Sequence, residues 1–395
     1  MSVLDVTNGQ SFATLSAAIA ASSAGDVLQV PAGIYVENFP NITHNLTITS
    51  TGGMAYLSNP QPDPPNGRAV VNVPGNLNVS LTLSGLDISG AVDDASNPPS
   101  NGGANGAGIL FETGNGALTV SNCHIHNNED GILAGAANSY STHGLTVTIT
   151  HSEFDHNGVP STNVRYGYDH NLYIGAVTQF SLADSYIHDA LGGNEVKSRA
   201  LASTIENNRI QDQGSPSSYE IDLADGGNDV VKTNTIQKGP NSPQEHVVDF
   251  GAEGTYAGST LTFSGNTIIN NGGAPYFSNP TAVWNATNDP GTGTFDIGQI
   301  LNNTLYGITT LDQVSHGSSD DLSGNTLLPI TLAPPLDTAG LFGVPAPPSI
   351  VPVMIAALTW VRARRRFRRR RRAKNAGSPT CGPVRSRHVY CQAGR

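Results

Sequence analysis

The feature that most constrains this chain is a repeat. Segments at Cys123-His124-Ile125, Ser152-Glu153-Phe154, Ser185-Tyr186-Ile187 and Asn208-Arg209-Ile210 share one pattern, which continues at Asn234-Thr235-Ile236, Asn266-Thr267-Ile268, Asn303-Thr304-Leu305 and Asn325-Thr326-Leu327. Each sets a small polar residue, a variable residue and an apolar residue in a row, at spacings of 22 to 37 residues. Alternating apolar runs precede most of them, as in Leu118-Thr119-Val120-Ser121, Leu145-Thr146-Val147-Thr148 and Leu261-Thr262-Phe263-Ser264. A unit of this kind cannot bury its apolar face alone and must stack on its neighbours. High glycine (44 residues) with only 13% charged and 6% aromatic residues speaks against a helical bundle, and the Val, Ile and Leu runs against disorder. The prediction is an all-β solenoid: a single-stranded right-handed parallel β-helix with one repeat per coil and the excess length in loops. The small polar position then becomes a ladder of Asn and Ser side chains at a turn. Cys123 takes a rung of that ladder as a small inward residue, not as a reactive thiol.

Near the amino terminus, Phe12, Leu15 and Ile19 are spaced for one face of a helix. The run Gly25-Asp26-Val27-Leu28-Gln29-Val30-Pro31-Ala32-Gly33-Ile34-Tyr35 then reads as a strand with a Pro-Gly turn. A short capping helix followed by a strand resembles the start of pectin lyase-like β-helix proteins. The resemblance spans about residues 10–330 and implies one β-helix domain over residues 1–335. The fold hosts lyases, hydrolases, epimerases and passive adhesins, so by itself it implies no single function.

Charge divides the chain. The net charge of −11 comes from 31 acidic residues, all before Arg362, and 20 cations, of which 13 lie from Arg362 onward. An acidic body argues against nucleic acid as a partner, since that needs a basic stripe. Of the seven body cations, Lys197, Arg199, Arg209, Lys232 and Lys238 lie between residues 197 and 238, a concentration that suggests an anionic ligand or local charge balance. The only body cysteine is Cys123, so no disulfide staples the body internally.

The carboxyl-terminal part has another character. Residues 336–349 read as a Pro-rich linker, 350–361 as an apolar segment of twelve residues, and 362–395 as an Arg-rich, disordered tail with nine arginines between Arg362 and Arg372. Twelve residues are short for a spanning helix, which needs about 20. The order of Pro-rich box, apolar run and Arg cluster resembles the PEP-CTERM sorting signal. The box here, Val344-Pro345-Ala346-Pro347-Pro348, lacks that signal's usual glutamate. The resemblance implies an extracytoplasmic protein with membrane or cell-surface attachment; an accidental tail is the alternative. No signal-peptide pattern is visible at the amino terminus.

Stacking the coils on their inward apolar residues locates a candidate site. With Ile132, Leu172, Val196, Ile221, Val248 and Val283 as anchors, alternation places Leu133, Tyr173, Lys197, Asp222, Asp249 and Trp284 in one outward row. The same reasoning adds Arg199 two positions further and Glu195 and Glu220 one position before. His170 and His246 fall at the preceding turn. The expected patch therefore holds Tyr173, Lys197, Arg199 and His170 as catalytic candidates, and Glu195, Glu220, Asp222, Asp249 and His246 as substrate-binding candidates.

Asn194-Glu195-Val196-Lys197-Ser198, with Asn207-Asn208-Arg209-Ile210, resembles the active coil of alginate lyases and chondroitinase B-like lyases. That resemblance implies Lys197 as the base that takes the C5 proton of a uronate sugar. Those families carry an arginine on the next coil, which here reads Tyr219-Glu220-Ile221-Asp222-Leu223 without one; Arg199 is a substitute from its own coil. Tyr166-Gly167-Tyr168-Asp169-His170 resembles, without its proline, the catalytic loop of mannuronan C5-epimerases. The expected partner is an acidic polysaccharide. Three alternatives stand beside this reading: a glycoside hydrolase using Asp222 and Asp249, a Ca²⁺ site at Glu220, Asp222 and Asp249, and a non-catalytic glycan-binding surface protein. His151, His156 and His188 read as turn residues.

Overall fold

β-branched residues alternating with Ser, Thr and Asn suit a pleated strand with one face buried. A computed structural model of the chain describes residues 2–60, 69–75, 77–92, 106–135, 143–161, 166–272, 279–286, 297–314 and 321–342, within one unit ending at Phe342. The expected parallel β-helix forms. Nine strands, from Ala69–Val73 to Thr310–Val314, make one wholly parallel sheet. The remaining 21 make two further rows, joined because the long strands Asp26–Val36 and Leu46–Ser58 serve both. Each coil runs from a ladder-side strand through a corner to the nine-stranded sheet, then to the third row and back.

The core is one continuous stack. The anchors Ile132, Leu172, Val196, Ile221, Val248 and Val283 are all buried and lie in register. Each such side chain contributes about 1.5–3 kcal/mol by leaving water.

The polar ladder forms at the predicted positions. Cys123 N donates to Ser152 Oγ (3.2 Å), Ser152 N to Ser185 Oγ (3.1 Å) and Ser185 N to Asn208 Oδ1 (2.9 Å). From Asn208 onward the amides bond to one another, through Asn234, Asn266 and Asn303 to Asn325. The residue before each rung turns the chain through the left-handed region, for example Asn122, His151, Asp184 and Asn207 at φ between 46° and 58°. Cys123 is buried and its thiol is pushed up to about 12 by that burial, as an inert filler should be.

The first coil is capped by helix Leu15–Ala21, started by Thr14, whose hydroxyl accepts from Ala17 N, and by the Glu37 carboxylate, which accepts from Leu15 N and Ser16 N. Leu15, Ala18 and Ile19 face the core. Phe12 is not on this helix, as the spacing suggested, but ends strand Gln10–Phe12, which pairs antiparallel with Val3–Asp5.

The start of the predicted linker is not free. Arg209, its guanidinium 4.0 Å over the Tyr186 ring, donates to the carbonyls of Asp337 (2.9 Å) and Ala339 (2.7 Å), and Leu341 N donates to Glu153 Oε2 (2.7 Å). Residues 343–395, with the apolar and Arg-rich segments, lie outside the described residues. Among those described, no helix is long and apolar enough to cross a membrane.

Candidate functional site

The nine-stranded sheet carries the outward row in the expected register: Leu110, Leu133, Tyr173, Lys197, Asp222, Asp249, Trp284 and Gln313 are successive partners. Strand spacing of about 4.8 Å sets their separation. The row changes chemistry along its length. Leu110 and Leu133 form an apolar cluster that Tyr173 extends; Lys197, Asp222 and Asp249 follow; Trp284 lies beyond, stacked on His246 at 5.0 Å.

The charged centre is tightly paired. Lys197 Nζ donates to Asp222 Oδ2 at 2.7 Å and to Glu253 Oε1 at 2.5 Å. Arg199 donates from Nε to Tyr173 Oη (3.0 Å), from Nη1 to Asp225 Oδ1 (2.6 Å) and from Nη2 to Glu253 Oε2. One carboxylate, Glu253, therefore bridges two recessed cations. Its side chain remains 48% exposed, whereas those of Lys197 and Arg199 are 7% and 12% exposed.

These contacts set the protonation states. Burial works against the Lys197 charge, but Asp222 and Glu253 outweigh it and hold the ammonium above its ordinary range. A lysine base needs the opposite shift. The geometry therefore favours Lys197 as a fixed cation over the base that the lyase resemblance implied. Arg199 is likewise stabilised as a cation by Tyr173, Glu253 and Asp225 against the cost of burial. Asp249 is pushed well above the carboxylate range, first by burial and then by the neighbouring charge of Asp222.

Several expected members are elsewhere. Glu195 and Glu220 do not join the row: both are fully buried in the corner before their strands. Glu195 ends a second polar ladder, Asn128 to Asn157 to Asn171, accepting from Asn171 Nδ2 and from Ala190 N (2.9 Å). Glu220 accepts from Lys238 Nζ at 3.2 Å, and Lys238 is fully buried with it and also donates to the Ser218 carbonyl. Alternation fails here because it holds along a strand, and these glutamates precede the strands, where the backbone turns the corner.

His170 is also a corner residue. It is buried, its Nδ1 accepts from Asn194 N (2.8 Å), and its ring lies 5.5 Å from Tyr173. Gly193, at φ 75°, permits that approach, since a Cβ there would meet His170 Nδ1 at 2.7 Å. Of the epimerase-like segment, His170 reaches Tyr173 of the row, while Asp169 is buried and Tyr168 exposed. His246 bonds Gln313 and stacks on Trp284, near Asp249 in sequence but at the aromatic end of the row.

Two alternatives lose their geometry. The expected Ca²⁺ trio is not brought together: Glu220 is tied to Lys238 in the corner, and Asp222 accepts from an ammonium. A glycosidase pair needs carboxyls at least about 5 Å apart, whereas strand pairing sets Asp222 beside Asp249 at about 4.8 Å.

Residues 107–327, more than half of the chain, match the family of right-handed β-helix regions. The chain belongs to the right-handed β-helix family. No curated relative matches it. Membership fixes the fold and its hand, and the family's fold is found in polysaccharide-active enzymes.

The charged row contains functional candidates that sequence stacking missed. Glu253 lies beyond its strand, His246–Phe250, in the connection to Thr260–Ser264, and Asp225 likewise follows strand Ile221–Leu223. Tyr219, whose phenol is held up by burial and by the charges of Asp249, Asp222 and Glu253, precedes its strand. A further group on the ladder-side row was missed altogether. Asp87, His124, His126, Glu153, Asp155 and His188 form an imidazole–carboxylate lane across successive coils. Of the three histidines assigned to turns, His151 and His156 do occupy left-handed turn positions, but His156 also pairs with Asp155. His188 lies on a strand and pairs with Glu153 and Asp189.

Proposed function

We propose that the outward row binds an acidic polysaccharide and removes the C5 proton of a uronate residue, as a lyase or C5-epimerase. One observation carries this reading: a half-exposed carboxylate, that of Glu253, bridges Lys197 and Arg199. A uronate carboxylate that displaces Glu253 meets the same two cations. Its charge is then neutralised, which makes the adjacent C5–H more acidic. Tyr173 Oη, which accepts from Arg199 Nε, is the base candidate, because it stands beside the guanidinium that would hold the substrate carboxylate. In elimination the C5 proton passes to this base, the C4–O bond breaks as the C4–C5 double bond forms, and the leaving oxygen takes a proton, for which Asp249 is the candidate donor. In epimerisation the proton returns to the opposite face of C5 and no bond to oxygen breaks. Trp284 and Tyr173, at either end of the charged centre, supply apolar faces for sugar rings.

The reading extends to location. An acidic glycan as substrate supports an extracytoplasmic protein, and the apolar segment 350–361 followed by the Arg-rich tail supports attachment at a membrane or cell surface.

The test is incubation with alginate, pectate and chondroitin, following the absorbance of unsaturated uronate ends and, by NMR, C5 inversion. Activity on one substrate is expected, falling on the order of 10²-fold or more in Arg199→Ala and Lys197→Ala. Reducing ends without the absorbance would replace this reading with hydrolysis. Binding without turnover or inversion would leave a glycan-binding module.

A further inference from the structure

Asp87 faces His124 across two coils, in register, and His126 shares the outward face of the His124 strand. The two imidazoles stack at 4.2 Å and 20°, and both aim a nitrogen at the one carboxylate. His124 Nδ1 is 3.2 Å from Asp87 Oδ2, and His126 Nε2 is 3.1 Å from Asp87 Oδ1. Metal bonds of about 2.0–2.2 Å place neighbouring donor atoms roughly 2.8–3.6 Å apart around a tetrahedral or octahedral ion. Both histidine–carboxylate separations lie in that range, and the three ligand atoms lie within 4.8 Å of one another. As two stacked cations the rings would repel; as neutral ligands of one ion they do not.

The surroundings are those of ligated histidines. The second nitrogen of His124, Nε2, lies 2.5 Å from Asp155 Oδ1, on the coil after it. The second nitrogen of His126, Nδ1, lies 2.6 Å from Asn127 Nδ2; with that side-chain amide turned end for end its oxygen accepts from Nδ1–H, the tautomer that leaves Nε2 free for a metal. An accepting carboxylate such as Asp155 fixes ring orientation and raises ligand basicity. Asp87 is buried, while the two histidine side chains are 15% and 18% exposed, which leaves the outer side open for water or a ligand. His124, Glu153 and Asp155 offer a competing set. Its carboxylates are occupied, however: Glu153 by His188 and Leu341 N, Asp155 also by His156.

We propose that Asp87, His124 and His126 bind one divalent transition-metal ion on the ladder-side sheet, apart from the charged row. Two imidazoles and one carboxylate select ions of the manganese-to-zinc series over Ca²⁺ or Mg²⁺, which prefer all-oxygen sites.

The experiment uses tag-free full-length chain, stripped with chelator and titrated with Co²⁺ and Zn²⁺ by calorimetry, with the Co²⁺ ligand-field absorbance followed in parallel. One tight equivalent is expected, with imidazole-type absorbance and no comparable uptake of Ca²⁺. His126→Gln and Asp87→Asn are expected to weaken it about 100-fold or more, and Asp155→Asn about 10–100-fold. His188→Gln stays within about twofold, because His188 is outside the set. Circular dichroism and melting check each variant. Asp87 is buried, so the decisive variant is the more exposed His126→Gln. Absence of a tight equivalent in the wild type overturns the proposal, as does wild-type affinity in folded His126→Gln, which would assign the ion to the set of His124, Glu153 and Asp155 or to His388, Cys381 or Cys391 in the tail.

Discussion

The outward charged row and the corner beside it use the same residue types, two positions apart. Lys197 and Asp222 stand on the outward face, recessed but reaching solvent through Glu253, whose side chain is 48% exposed; Glu195 and Glu220 are fully buried with no such opening. In the row, fixed cations are met by carboxylates that include a half-exposed one, so a ligand has something to displace. In the corner, each charge is spent on structure: Glu195 ends an amide ladder and Glu220 neutralises Lys238. Charge density is therefore no guide to function on a coil. What separates the two regions is whether a partner can leave.

The sharpest test is Lys238→Met. It strands the Glu220 carboxyl in the core and should cost about 3–5 kcal/mol in urea unfolding, with the Lys238→Met/Glu220→Leu pair recovering most of it. Loss of polysaccharide turnover at unchanged stability would make the corner functional and break the comparison.

Asp212, in the same corner, is pushed up to about 6, mainly by burial. An unfolded aspartate titrates near pH ~3.9. The raised folded value stabilises the protein fully below about pH 4 and is lost as pH rises to about 6, a change of roughly 3 kcal/mol at most. Asp212→Asn should flatten melting temperature against pH across that window. An unchanged slope would show that another group carries it.

Glu195→Gln replaces one of two accepting oxygens with a donor facing a donor. A loss of about 1–3 kcal/mol is expected by denaturant titration. Glu253→Gln, at the exposed end of the comparison, should change stability by less than about 1 kcal/mol. It should tighten binding of uronate oligosaccharides severalfold, read by calorimetry; weaker binding would make Glu253 a ligand-binding group rather than the one displaced.

Much of the fold was legible in the sequence. The repeat predicted the coils, the ladder from Cys123 to Asn325 and the row from Leu133 to Trp284, because stacking makes every coil report the same inward and outward positions. The candidate site was legible only where a strand carried it. Glu253, Asp225 and Tyr219 lie outside strands, where period-two alternation carries no information. The His124 lane escaped for another reason. Histidine adds nothing to a formal charge count, and its carboxylate partners lie 31 and 37 residues away on neighbouring coils.

By itself, then, the sequence determined the architecture, the register of its strands and the one outward row that concentrates Lys197, Asp222 and Asp249. Those follow from local periodicity, repeated often enough to be unambiguous. Only the tertiary structure decided which charges are exposed, that Glu253 bridges Lys197 and Arg199, and that Asp87 meets two histidines. Those depend on how the chain turns its corners and which side chains meet between coils, and no spacing along the chain encodes that.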